Sequence, residues 1–434
     1  MKSLFYVFRE RSLLDMFGLM AVLLLLTINA FHFNIHEAHV YYRELFGVFF
    51  IGLSLWYLLL RYHSLIGDAY RMNKAIFYLI LFPMLLMLWS FMDPGEPIYG
   101  DYLIGETTSQ IDDTRLTLYV LRNALLYLPM VVYCYIRGIN KQEIQLIALV
   151  MILVAPFSVN EYLQSIDLAA LGTLGAVVEK GKGVAYNTYV PYLTFSVLCG
   201  LFLLFSRINL PLKVVVLLCT VIVGMFCLFS NSRQSVLFVA LSLGGFFCFS
   251  NEGTKRKGKW LSLISIFMAA IMAFSYFTQD YDMADNFMGR FGSLEGFMTQ
   301  DTSGRIENIV NGFLLLNPVE WFVGAGLTSV VTSGPHNDFI RWTQRVGVPL
   351  MIIGFMPFFI SFRTSFLLAC RNRKNNTLFI FLVMAVGFTF FHSMFGYPRE
   401  ESNQAVAVYL GLAMWFGAKR EGLLKKSQLR HSQR

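Results

Sequence analysis

The stretch SGPHNDFIRWTQRVGVP, residues 333–349, crowds His336, Asn337, Asp338, Arg341, Gln344 and Arg345 into one short segment. A guanidinium is a planar fork of donors that matches two phosphate oxygens at once, and a charge-assisted hydrogen bond of that kind contributes about 1.5 to 3 kcal/mol. A histidine takes a proton from a hydroxyl near neutral pH. Arginines that grip phosphate, beside a histidine that activates a hydroxyl, suit group transfer from a phosphate-bearing donor to a hydroxyl. If residues 337–346 are helical, Asn337, Arg341 and Arg345 recur every four residues and share one face, while Phe339, Ile340 and Trp342 turn to lipid or to neighbouring helices.

Three more arginines stand in settings that invite chemistry. Arg233 lies in SNSRQSVLF among Ser230, Asn231, Ser232, Gln234 and Ser235, and Arg305 follows Thr302, Ser303 and Gly304. Arg122, in LTLYVLRNALLYLP, is a charge inside an apolar run, where an ionisable side chain is either functional or paired with an acid. Each group also has a plainer reading. Arg341 and Arg345 suit interfacial anchors that snorkel to water, Asp338 suits a surface ion pair with Arg341, and His336 suits a solvated loop. His32, His36 and His39 cluster in HFNIHEAHV but lack the histidine spacing around a glutamate expected of zinc hydrolases, so no metal or cofactor is expected.

The elements that must position these groups are membrane helices. The 434 residues are 56% hydrophobic and only 14% charged, with repeated apolar runs near bilayer-spanning length. The expected fold is therefore an all-α polytopic membrane protein with about twelve transmembrane helices. Candidate spans cover residues 13–31, 45–60, 75–92, 116–136, 144–157, 186–205, 214–230, 235–249, 260–278, 339–362, 377–394 and 404–418. With both termini cytoplasmic, the first eleven residues, the inner loops and the tail gather 24 of the 35 Lys and Arg, as cytoplasmic segments should. Parity and charge agree, and the three polar clusters fall on the opposite, outer face.

The basic balance is thus the mark of membrane insertion and not of a nucleic-acid partner. The chain reads as one integral membrane domain, 1–434, with a long outer loop at 279–338 between the ninth and tenth spans. Within that loop Ile306, Ile309, Val310, Phe313 and Leu314 fall at helical spacing, which predicts an interfacial helix closed by Asn317-Pro318. Transport of a lipid-linked oligosaccharide is the competing class. Against it stand the lack of internal duplication, of a long central cytoplasmic loop and of acids placed within spans for ion coupling.

SRQSVLF, then SGRIENIVNGFLLLNP followed by GAGL, then HNDFIRWTQRVGVP, in that order and on that topology, resemble the bacterial O-antigen ligase and polymerase superfamily. The likeness is closest over residues 186–418. It implies a GT-C-like integral membrane glycosyltransferase of the bacterial inner membrane, working on undecaprenyl-diphosphate-linked glycans at the periplasmic face without a metal. The family's arginine-x-x-x-leucine signature falls on Arg233 and Leu237, and its histidine-asparagine, nine residues, glycine signature falls on His336, Asn337 and Gly347. By resemblance Arg233 and Arg305 hold the donor diphosphate and His336 works on the acceptor; from the residues themselves, Arg341 extends the grip, with Asn337, Arg345 and Arg122 in support. Where ligases often carry a small or hydroxylated residue three positions after the glycine, this chain has Leu350, which favours the polymerase of O-antigen repeat units over the ligase that loads glycan onto lipid A core. A chain-length regulator is the protein partner the resemblance adds.

Overall fold

The computed structural model describes residues 13–30, 39–60, 74–92, 113–165, 186–206, 208–229, 233–249, 310, 314, 316–325, 337–371, 377–394 and 402–421; for Arg122 and Arg233 it describes the backbone alone. Every described element is a helix. They are α1 (Leu13–Ala30), α2 (His39–Leu60), α3 (Lys74–Met92), α4 (Asp113–Arg137), α5 (Lys141–Ser165) and α6 (Tyr186–Phe205), then α7 (Leu210–Phe229), α8 (Arg233–Phe249), the one-turn α9 (Glu320–Val323), α10 (Asp338–Arg371), α11 (Thr377–Ser393) and α12 (Ser402–Arg420). Eleven of the twelve expected spans coincide with one of these helices, and the remaining one, at 260–278, lies outside the described residues.

Among the described residues, three segments are long and apolar enough to cross a bilayer: Lys141–Asn160, Leu210–Cys227 and Asp338–Leu368. Six shorter apolar helices accompany them, and their outward faces are as apolar as their core. Phe17, Met20 and Leu24 form an exposed stripe on α1, Val214, Leu218 and Ile222 another on α7, and Val48, Ile51 and Leu55 a third on α2. Helices that are apolar all round cannot face water at such length; hydrocarbon is the solvent that suits them.

Inside, aromatic rings set the packing. Phe202 stacks on Phe381 with centroids 4.3 Å apart, and Phe205 on Phe246 at 5.2 Å, which fastens α6 to α11 and α8. Tyr127 meets Tyr409 at 5.9 Å and Tyr135 meets Phe416 at 6.2 Å, so α4 and α12 run side by side in the same direction.

One end of the bundle is tied by buried charge. Arg137, at the end of α4, places Nε 3.0 Å from Asp15 Oδ1 in the first turn of α1 and bonds Glu143 Oε1 in the first turn of α5. Asn140 and Glu143 cap α5 reciprocally: the Asn140 amide donates to Glu143 Oε2 (2.8 Å) and the Glu143 amide to Asn140 Oδ1 (2.9 Å). Gly138, at φ +80, ends α4, and the next amide, of Ile139, donates to the carbonyl of Gly417 on α12. The starts of α1 and α5 and the ends of α4 and α12 therefore meet at this end. Arg137 is thus buried at the centre of a structural ion-pair cluster.

α10 is broken where the sequence reading runs straight through. Gly347 has φ 77 and ψ 167, and Pro349 stands in the first turn of the helix that resumes after it. Those angles are open essentially to glycine alone, and proline's missing N–H costs nothing at a helix start. The span expected over 339–362 is thus two helices: a short one, 338–346, and a long one that alone suffices to cross a bilayer.

Candidate functional site

The short first half of α10 is helical, as its spacing predicts, and Asn337 starts it. Asn337 Oδ1 accepts the Ile340 amide at 3.2 Å, and its carbonyl accepts the Arg341 amide at 3.1 Å, so it acts as N-cap. Its Nδ2 donates to the Met394 carbonyl, 3.4 Å away at the end of α11. The asparagine of the histidine-asparagine pair has a structural task before any catalytic one: it ties the start of this helix to α11.

The rest of the half-helix is packed inside protein. Trp342 is fully buried with its ring 5.7 Å edge-on to Phe82 of α3, Ile340 is buried, and Phe339 lies 4.0 Å from the Phe355 ring. Arg345 is 2% exposed, its guanidinium carbon 5.9 Å from the centre of the Trp342 ring. A guanidinium so placed is no anchor snorkelling to water, and the ring face offsets part of its desolvation. Arg341 is half-buried. Asp338 is fully buried and so is not a surface group, and the Ser393 hydroxyl at the end of α11 donates to its Oδ2 at 3.4 Å.

What holds this half-helix at its angle is a second glycine. Gly324, which ends α9, has φ 78 and ψ 167, nearly the angles of Gly347. The Ala325 amide donates to the Gln344 carbonyl at 2.7 Å, filling an acceptor that the break would otherwise orphan. A side chain on Gly324 would overlap the Arg345 carbonyl, and one on Gly347 would overlap the Phe322 carbonyl. The two backbones interlock. Asn317 opens α9: its Oδ1 accepts the amides of Val319 and Glu320, each at 2.9 Å, and Glu320 Oε2 accepts the Asn317 amide at 2.8 Å. Val310 and Leu314, from the expected interfacial helix, are exposed; most of that segment lies outside the described residues.

Arg233 is the first residue of α8. One turn further in, Phe238 packs on α11, with its ring 5.3 Å from Phe388, 5.6 Å from Phe391 and 5.5 Å from His392. The start of α8, the end of α11 and the start of α10 thus gather at one end of the bundle, away from the Arg137 ion pair. That gathering brings the turn of Arg233 towards the segment that His336 precedes. Arg122 lies on α4 beside Leu121, which shares an apolar cluster with Trp342 and Val346. Arg305 and His336, like His32 and His36, lie outside the described residues. Among the described residues, no group of three His, Cys, Asp or Glu could hold a metal.

Sequence reasoning missed His392. It sits in an aromatic run, TLFIFLVMAVGFTFFHS, that reads as plain span, yet a buried histidine among phenylalanines is a polar group in need of a partner. Its one signal was being an ionisable residue in an apolar segment. Comparison with models of known protein families and with curated proteins gives no match.

Proposed function

We propose that the chain is a bacterial inner-membrane glycosyltransferase that polymerises undecaprenyl-diphosphate-linked oligosaccharide repeats into O-antigen or a related surface polysaccharide at the periplasmic face. The observation that carries this reading is the gathering of the start of α8, the end of α11 and the broken start of α10 at one end of the bundle. It lets Arg233 and the His336 segment serve one substrate.

In the proposed reaction His336 accepts the proton of an acceptor sugar hydroxyl, and the freed oxygen attacks the anomeric carbon of the donor. The bond from that carbon to the diphosphate breaks, and undecaprenyl diphosphate departs with the electron pair. Arg233 and Arg305 stabilise the charge that gathers on it, with Arg341 extending the grip; fixed cations in a site closed to water are worth most as charge develops. Buried Arg345 adds a fixed positive charge to the same half-helix, and Arg122 stands on α4 next to Leu121, which belongs to the apolar cluster of Trp342 and Val346.

A twelve-span topology of GT-C type, with both termini in the cytoplasm, is part of this proposal. The test is the lipopolysaccharide of a deletion strain. A polymerase deletion leaves a single repeat on the core. Bare core with accumulated lipid-linked polymer would instead assign the chain as the ligase for lipid A core, which uses the same donor. An unaltered ladder and unaltered capsular polymers would overturn both.

A further inference from the structure

The outer ends of α8 and α11 enclose a set of buried polar side chains, most of which have nothing to bond. Thr389, His392 and Ser393 of α11 are each at most 1% exposed, and Ser235 in the first turn of α8 is fully buried. Among the described residues, neither ring nitrogen of His392 has a hydrogen-bond partner, nor has Thr389 Oγ1, Ser235 Oγ or Gln234 Oε1. Thr389 and His392 lie one turn apart on one face, and Ser235 lies one turn before Phe238, whose ring touches His392. The helices run antiparallel here, so the orphaned groups fall at one level and near one another.

Leaving each such group unpaired costs about 1 to 3 kcal/mol, and buried polar atoms in native proteins are overwhelmingly satisfied. A core that needed only packing would carry apolar residues in these places. The chemistry of the set restricts what could satisfy it. The atoms are neutral and include both donors and acceptors, and the walls are aromatic: the His392 ring lies 4.1 Å from Phe388 and 5.6 Å from Phe391. A cation would call for carboxylates, and a phosphate for guanidinium or free amides. A hydroxyl donates and accepts at once, and the C–H face of a sugar ring rests on aromatic carbon.

We propose that His392, Thr389 and Ser235 form a sugar-binding subsite, which takes hydroxyls of a glycan unit on the lipid-linked substrate when the outer ends of α8 and α11 part to admit it. This inference rests on the glycosyltransferase reading. Ser393 connects the subsite to the reaction segment, since its hydroxyl donates to Asp338, two residues beyond His336. A sugar held by His392 would therefore lie beside the residues assigned to the transfer.

The test is equilibrium binding of two lipids to the full chain in nanodiscs: undecaprenyl diphosphate, and the same lipid carrying one N-acetylhexosamine. The parent should bind the glycosylated lipid at least tenfold more tightly. His392→Phe keeps the ring and the packing but removes both nitrogens, so it should abolish that tenfold increment and leave affinity for bare undecaprenyl diphosphate unchanged. Thr389→Val and Ser235→Ala should each lose part of it, which keeps the test decisive if His392→Phe does not accumulate. A His392→Phe protein that keeps the full increment, or a parent that binds the two lipids equally, overturns the subsite while leaving the diphosphate grip standing. A parent that binds neither lipid overturns the glycosyltransferase reading itself.

Discussion

Gly324 and Gly347 adopt nearly the same backbone angles, φ 78 and 77 with ψ 167 in both, and each is pressed against the carbonyl of a residue two positions before the other, Arg345 and Phe322. The two are far apart in sequence but lock α9 against the break in α10. The first glycine of GAGL and the glycine that follows His336-Asn337 thus have one physical explanation: no other residue permits these angles and this approach.

Gly347→Ala and Gly324→Ala should each destabilise the fold by at least about 1 to 3 kcal/mol from backbone strain alone, with further loss from the overlap. Thermal unfolding followed by size-exclusion in detergent measures it. Gly244→Ala is the control, because nothing lies within 4 Å of a Cβ built there on α8; it should be neutral or slightly stabilising.

Arg137→Ala should lower stability by about 3 to 5 kcal/mol, since it strands Glu143, which is fully buried, beside Asp15. The triple change Arg137→Met, Glu143→Gln and Asp15→Asn should recover much of the loss. Equal stability of the single and triple variants, measured as shifts in unfolding midpoint, would show that the ion pairs are not what ties this end.

The proposed sidedness predicts that a cysteine at Ser333 reacts with an impermeant thiol reagent in intact spheroplasts and one at Gly258 does not. The reverse pattern would put the site on the cytoplasmic face.

In the donor grip, Arg233→Ala and Arg305→Ala should each abolish glycan transfer at near-normal protein abundance. Lysine should rescue poorly because an ammonium cannot fork across two phosphate oxygens. Parental transfer by Arg305→Ala, read from the saccharide ladder of complemented cells, removes that residue from the mechanism.

Which parts of this were legible in the sequence follows from how local their causes are. Helix positions were, because apolar runs of bilayer length are written in consecutive residues, and so was the face shared by Asn337, Arg341 and Arg345. The break at Gly347 was readable from Gly347-Val348-Pro349, a stop followed by a start, but the apolar residues around it mask the signal. The burial of Arg345 and Asp338 was not, since it depends on Trp342 meeting Phe82 and on Ser393 closing from α11. Nor was the Arg137 cluster, whose partner Asp15 lies 122 positions away. His392 was hidden by its neighbours' hydrophobicity, and its lack of partners is a fact of three dimensions.

The central claim is that the outer end of this bundle transfers a sugar from undecaprenyl diphosphate with His336 as the base. The most direct measurement pairs donor binding with single-turnover transfer in nanodiscs for the parent, His336→Ala and Arg341→Ala. The account predicts that His336→Ala binds donor as the parent does but transfers nothing, and that Arg341→Ala binds it more weakly. Transfer by His336→Ala at the parental rate would contradict it.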